Sequence, residues 1–265
     1  MSNGLASFKS YVEDWRPLVS SMANGLSTSA GDQTDFLLAW ISIESSGDPC
    51  SWGCAGTCTG NCNPAGCSPV GRGEVGIFQL EEPDNINAAG SSYAALHPQP
   101  PCVAGQSYAT FSSLTPEQQT AQVQAGINYV NYCANIVRTV LAGAGTSWDE
   151  TQSDFWRLVK LVHVAPSCLK NGVSNFTATN GAPPQVWDDV ASMSGCPAGW
   201  MSNANSVGAY GGGSPDPDIT DVIAVNTGGP LLMNYLTLGI ALFAGAVLGV
   251  GIESFVAHRR RKRAR

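Results

Sequence analysis

The feature that most constrains this chain is an uncharged stretch near its C-terminus. The 22 residues from Leu231 to Ile252 include no acidic or basic side chain. As a helix they would be about 33 Å long, which matches the apolar core of a bilayer. Six of the 13 Lys and Arg residues follow between Arg259 and Arg265. Because basic residues hold a helix end on the cytoplasmic side, the sequence predicts a single-pass transmembrane helix at 231–252 and a cytoplasmic-side tail at 253–265.

The predicted helix has two further interpretations. Gly245 and Gly249 are spaced so that two such helices could pack closely, which indicates helix-mediated self-association. Small residues are also common in transmembrane helices without any such role. An apolar stretch with an Arg-rich end is typical of a cleaved sorting signal as well, so the sequence leaves a permanent anchor and a sorting signal both open.

The body of the chain is acidic and rich in cysteine. Before Arg259, seven basic residues stand against twenty acidic ones, so we do not expect nucleic-acid binding. The nine cysteines favour an oxidising compartment, which agrees with a body on the outer face of the membrane. Since nine is odd, at least one thiol lies outside the intrachain pairs. The N-terminus lacks the pattern of a signal peptide.

Five domain segments are predicted. Residues 1–30 form an N-terminal amphipathic helix, in which an apolar stripe favours core packing over a membrane-surface anchor. Residues 31–210 form the main domain, and residues 211–230 form a linker rich in Gly, Pro and Asp. The transmembrane helix and the basic tail complete the chain. The stripe consists of Phe8, Val12, Trp15, Val19 and Met22.

The main domain is predicted to be mainly α. Thr115 and Gln118 form a capping box with Pro116 at the first helical position, followed by a long apolar stripe. Ser147 and Glu150 predict a second capping box, before a helix that Pro166 ends. Strand-like alternation is scarce, and the cysteines between Cys50 and Cys67 form a loop insert. Their spacing favours disulfides over zinc, so no metal site and no cofactor are predicted.

One carboxylate lies on the apolar side of a predicted helix over residues 34–45. Leu37, Trp40, Ile41 and Glu44 share one face, and Gly47 ends the helix just beyond them. Glu44 is therefore expected at the edge of the core. Because apolar neighbours disfavour the charged form, we expect the pKa of Glu44 to be raised, as a general acid requires. Taken alone, such a Glu is more often structural.

Three short motifs around this helix resemble those of soluble lytic transglycosylases and goose-type lysozymes. The segment 44–49 reads Glu-Ser-Ser-Gly-Asp-Pro, and the segment 76–79 reads Gly-Ile-Phe-Gln. Gln124, Gly126, Tyr129 and Val130 match a later element on a core helix. The motifs follow the order of the family and span roughly residues 32 to 170.

The resemblance implies a lysozyme-like, α-rich fold with a glycan groove. Glu44 would protonate the bond between N-acetylmuramic acid and N-acetylglucosamine, and as a base it would then close a 1,6-anhydro ring. Ser45, Gln79 and Tyr129 would bind the peptidoglycan strand. His163 would also bind the strand, because it lies where the third family motif carries a tyrosine. The glycine of that motif is missing at 162–166.

The sequence thus predicts a membrane-anchored lytic transglycosylase, associated with a virion or a secretion machine. Two alternatives stay open. A hydrolytic muramidase would need a second carboxylate to activate water. The candidates are Asp48, Glu74, Glu81 and Glu82. Each of them is more simply interpreted as a solvated loop charge. A glycan-binding or structural membrane protein without turnover is the other alternative, and the departure in the third motif favours it.

Overall fold

The computed structural model describes residues 7–54, 73–81, 83–102 and 109–213. This part of the chain is mainly helical, as predicted. Its helices are α1 (Ser10–Glu13), α2 (Arg16–Met22), α3 (Thr34–Glu44), α4 (Asp84–Ala88), α5 (Tyr93–Leu96), α6 (Pro116–Gly143), α7 (Ser153–Val164), α8 (Pro166–Asn180), α9 (Trp187–Met193) and α10 (Ala198–Gly208). Its strands are β1 (Trp52–Cys54), β2 (Gly73–Val75) and β3 (Leu80–Glu81).

Helix α6 is the long core helix that the sequence predicts. The Thr115 hydroxyl accepts a hydrogen bond from the Gln118 amide, and the Gln118 side chain accepts one from the Thr115 amide, so the capping box is confirmed. The second predicted capping box is wrong. Helix α7 begins at Ser153, and the Glu150 carboxylate instead pairs with Arg138 at 2.7 Å. A nearby guanidinium is a stronger partner for a carboxylate than a backbone amide.

The N-terminal segment is not the single helix predicted for residues 1–30. It forms α1, α2 and a 3-10 turn at Ala23–Gly25. Four of the five residues of the predicted stripe are buried nonetheless, with Val12, Trp15 and Val19 fully inside, and Met22 is half-buried. The Trp15 indole donates to the carbonyl oxygen of Gly47 at 2.9 Å, which ties this segment to the end of α3. The stripe thus serves core packing.

The three strands form one antiparallel sheet in the order β1-β2-β3. Val75 pairs with Leu80, and both side chains are buried. Glu74 pairs with Glu81. Because neighbouring residues of a strand point to opposite faces, these two glutamates share the face opposite the buried pair.

Two disulfides close loops within the described residues. Cys50 joins Cys102, and Cys168 joins Cys196, whereas Cys133 is buried and unpaired. Loops of 52 and 28 residues correspond to about 4 kcal/mol of stabilisation each by chain entropy. The rest of the predicted Cys-rich insert lies outside the residues whose side chains are described.

The folded body continues into the predicted linker. The Gly212 amide donates to the Gln33 side chain at 3.0 Å, and the Gly213 amide donates to the Thr151 carbonyl oxygen at 2.9 Å. Within the ranges that the structure describes, no helix combines the length and apolar character needed to cross a membrane. The predicted helix at 231–252 and the tail at 253–265 lie outside those ranges.

Gly126 allows the closest approach between α6 and the turn after β2. A Cβ atom at this position would lie 2.1 Å from the Phe78 ring. We expect Gly126→Ala to lower the free energy of unfolding by about 2–3 kcal/mol, because a packed core cannot absorb the extra methyl group. Denaturant unfolding monitored by circular dichroism measures this change in stability.

Gly143 provides the matched control on the same helix, since nothing lies within 4 Å of a Cβ built there. Gly143→Ala should leave stability unchanged or raise it by up to about 1 kcal/mol through helix propensity. Equal effects of the two substitutions would contradict the packing observed at Gly126.

Candidate active site

Glu44 lies where the sequence predicts it, as the last residue of α3. Its side chain is 15% exposed, so the carboxylate lies at the edge of the core and retains some contact with solvent. The helix ends here because Ser46 and Gly47 adopt left-handed backbone conformations, with φ of 55° and 84°. A non-glycine residue in this region is uncommon and often marks a functional site.

The partner of Glu44 is Lys160, which the sequence motifs did not predict. The Lys160 side chain is completely buried on α7, and its Nζ donates to Glu44 Oε1. The ammonium also lies 4.2 Å from the centroid of the Trp40 ring, in a cation–π contact. A signal was present, since Trp156, Lys160 and His163 recur at helical spacing, which places a charge on a buried face.

The pKa of Glu44 is lowered, contrary to the sequence prediction. Burial does raise the pKa, as the apolar neighbours led us to expect. The Lys160 ammonium and His163 outweigh this contribution and hold the pKa well below its usual range. The opposite charge comes from α7, more than a hundred residues away. The apolar stripe of α3 alone therefore predicted the wrong direction for the pKa shift of Glu44. Glu44 is therefore ionised at neutral pH.

His163 lies beside the same carboxylate. Its Nε2 is 3.5 Å from Glu44 Oε1, and its ring packs against Trp40 and Tyr129 with centroid distances of 5.0 and 5.7 Å. Burial and the Lys160 ammonium lower the pKa of His163, so the imidazole is neutral at neutral pH. Its Nδ1 has no hydrogen-bond partner among the described residues. The structure thus brings His163 to the candidate site.

Tyr129 forms a wall of the site rather than a polar contact to Glu44. Its side chain is buried on α6, and its ring meets Trp40 edge-on at 6.4 Å. Burial and the neighbouring Cys133 thiol raise the pKa of the phenol, which stays neutral. Its predicted contact with a glycan stays a prediction.

Ser45 and Gln79 hold the backbone around Glu44. The Ser45 hydroxyl lies within hydrogen-bond distance of the carbonyl oxygens of Ile41 and Ile77, at 3.1 and 2.9 Å. The Gln79 amide donates to the carbonyl oxygens of Ser51 and Gly76 at 2.9 and 2.8 Å, and Gln79 has a positive φ of 48°. Both side chains are buried. This placement favours a positioning role over the predicted direct contact with substrate.

Glu74, half-buried on β2, is a second carboxyl group whose charge interacts with that of Glu44. Burial, followed by repulsion from Glu44 and Glu81, raises its pKa to about 7. Of the other candidates, Asp48 is buried and accepts hydrogen bonds from the amides of Cys50 and Ala109 at 2.8 and 3.1 Å, which marks it as structural. Glu82 lies outside the described residues.

Two surface clefts lie away from this cluster. One, of about 690 Å³, is lined by α5 and the start of α6, including Tyr93 and His97. The other, of about 410 Å³, lies at the start of α7 and includes Trp148 and Arg157. Neither is lined by Glu44. In the described part of the chain, no group of three or more His, Cys, Asp or Glu side chains is placed to hold a metal ion.

The chain was compared with protein-family models, with curated proteins and with solved structures, and none of the three comparisons gave a match.

Proposed function

We propose that this chain cleaves the glycan strands of peptidoglycan as a lytic transglycosylase, with Glu44 as its catalytic carboxylate. The observation that carries the proposal is the Glu44 carboxylate, partly exposed at the end of α3 and fixed from α7 by Lys160 and His163. The ordered motifs at 44–49, 76–79 and 124–130 supply the substrate class by resemblance. No cofactor is needed for this chemistry.

The ionised state of Glu44 determines what it does in the reaction. Cleavage of a glycosidic bond places positive charge on the anomeric carbon, C1. A fixed negative charge beside C1 stabilises that charge without reorganising during the reaction. The same carboxylate can take the proton of the muramic C6 hydroxyl while the hydroxyl oxygen attacks C1, which closes the 1,6-anhydro ring. Lys160 and His163 are positioning residues in this scheme.

Hydrolysis is the second candidate, and Glu74 is the observation that favours it. A hydrolase needs a second carboxyl group near the first, and Glu74 lies close enough to Glu44 for the two charges to affect each other. The product would then be a reducing end formed by water instead of an anhydro ring.

The masses of the products separate these candidates. The full-length chain is incubated with purified sacculi, and the soluble fragments are analysed by mass spectrometry. A transglycosylase releases fragments with anhydro ends, lighter by one water than those with reducing ends. Reducing ends alone would replace our first candidate by the second. The absence of soluble fragments would overturn both and favour a non-catalytic glycan-binding protein.

The cellular setting forms part of the same proposal. We place the helix at 231–252 across a membrane with the acidic body on its outer face, where peptidoglycan lies. The 231–252 stretch without charge and the basic residues that follow it support this arrangement. A virion or a secretion apparatus that opens the wall locally would use an enzyme anchored in this way.

A further inference from the structure

The position of Glu74 on the sheet bears on which group supplies the proton in this reaction. Glu74 lies in the middle of β2, on the face that it shares with Glu81. The turn that follows β2 is fixed to the end of α3, because the Ser45 hydroxyl lies 2.9 Å from the Ile77 carbonyl oxygen. The strand that carries Glu74 is thereby held beside the helix end that carries Glu44.

The charges around Glu74 favour its protonated form. Glu44 on α3 and Glu81 on β3 are negative, and Lys160 on α7 is positive. Lys160 is already engaged, since its ammonium contacts the Glu44 carboxylate directly. An ionised Glu74 would therefore be repelled by two carboxylates, while the one nearby ammonium is already compensated by Glu44. Together with burial, this keeps the pKa of Glu74 near 7 while that of Glu44 is low. Two carboxyl groups whose pKa values differ in this way are suited to acid and base roles.

We propose that Glu74 donates the proton to the glycosidic oxygen and that Glu44 works throughout as the ionised partner. This rests on the proposed function. It reassigns the acid role that the resemblance gives to Glu44. The basis is the geometry: Lys160 already pairs with Glu44, and the contact between Ser45 and Ile77 holds the strand that carries Glu74 beside the end of α3.

Two proton transfers accompany bond cleavage in the transglycosylase reaction. The Glu74 proton passes to the glycosidic oxygen as the bond from that oxygen to C1 breaks, and the bonding electron pair stays on the oxygen. The C6 hydroxyl oxygen forms the new bond to C1, and its proton passes to Glu44. Glu44 then releases this proton to water, and Glu74 takes one from water, which restores the starting state.

Substrates with different leaving groups test the assignment. Glycosidic oxygens in sacculi need a proton to leave, whereas a 2,4-dinitrophenyl group leaves as a stable anion. For Glu74→Gln we expect kcat/KM on sacculi to fall by about 10²–10⁴-fold, and on a 2,4-dinitrophenyl glycoside of a muropeptide oligosaccharide by less than about 10-fold. Glu44→Gln should be impaired on both. Thermal unfolding of each variant checks that it is folded.

The pH dependence provides a second readout. With sacculi, kcat/KM of the wild type should fall above about pH 7 as Glu74 loses its proton. With the dinitrophenyl glycoside, this fall should disappear. Glu81→Gln removes a negative charge near Glu74 and so lowers the pKa of Glu74. The fall in kcat/KM on sacculi should then occur at lower pH.

Equal loss by Glu74→Gln on both substrates, or a fall above pH 7 that persists in this variant, would overturn the assignment while leaving the proposed function in place. A wild type that is inert on both substrates would overturn the proposed function itself.

Discussion

Replacing Glu44 by Gln is expected to lower kcat/KM on purified sacculi by at least about 10³-fold, or about 4 kcal/mol of transition-state stabilisation. The amide keeps the shape of the side chain but carries no charge to stabilise C1 and accepts no proton from the attacking hydroxyl. The rate of release of soluble muropeptides, measured at several concentrations of sacculi, gives this ratio.

Glu150→Gln is the matched control for this loss. Glu150 is also a partly buried carboxylate in an ion pair, with Arg138 at 2.7 Å, but it lies outside the cluster around Glu44. Both variants lose one charge and should unfold at lower denaturant concentration than the wild type. Glu150→Gln should keep its turnover. An active Glu44→Gln, or an equal loss in both variants, would remove Glu44 from the chemistry.

Replacing Lys160 by Met is expected to lower the free energy of unfolding by about 3 kcal/mol at pH 7, because it leaves a largely buried carboxylate without its counter-charge. Lys160 is fully buried and Glu44 is 15% exposed, so water screens the pair poorly. The double variant Lys160→Met/Glu44→Gln should recover much of the loss, since neither charge remains. Urea unfolding of the four proteins measures this coupling. A Lys160→Met variant as stable as the wild type would contradict the ion pair.

The pH dependence of this difference follows from the lowered pKa of Glu44. A carboxyl group with a lowered pKa contributes stability above its ordinary value of about 4.5, and this contribution is lost as the pH falls toward the folded-state pKa. In Lys160→Met the counter-charge is gone, so little such stability exists to lose. The stability gap between wild type and variant should therefore narrow as the pH falls below about 4.5.

Local sequence patterns predicted the local features of this fold. The bounds of α3 and the cap of α6 follow from residues within a few positions of each other. The position of Glu44 at the core edge follows from the same short-range rules. The capping box at Ser147 failed because Arg138 and Thr28, both distant in sequence, hold the Glu150 carboxylate at 2.7 and 2.6 Å.

The chemical state of the site required contacts that no local pattern contains. Lys160 reaches Glu44 from another helix, and it reverses the pKa shift expected from the apolar face of α3. Glu74 was grouped with solvated loop charges, because the strand that carries it is three residues long, too short for alternation to be recognised in the sequence. Ser45 and Gln79 were predicted to face substrate, whereas their hydrogen bonds go to backbone carbonyls.

A crystal structure of Glu44→Gln with a muropeptide oligosaccharide would show whether a glycan strand binds with its scissile bond beside position 44. We expect C1 of a muramic residue within contact distance of the side chain at position 44. We also expect the Glu74 carboxyl group within hydrogen-bond distance of the glycosidic oxygen. An oligosaccharide bound only elsewhere, for example in the cleft between α5 and α6, would contradict this binding mode.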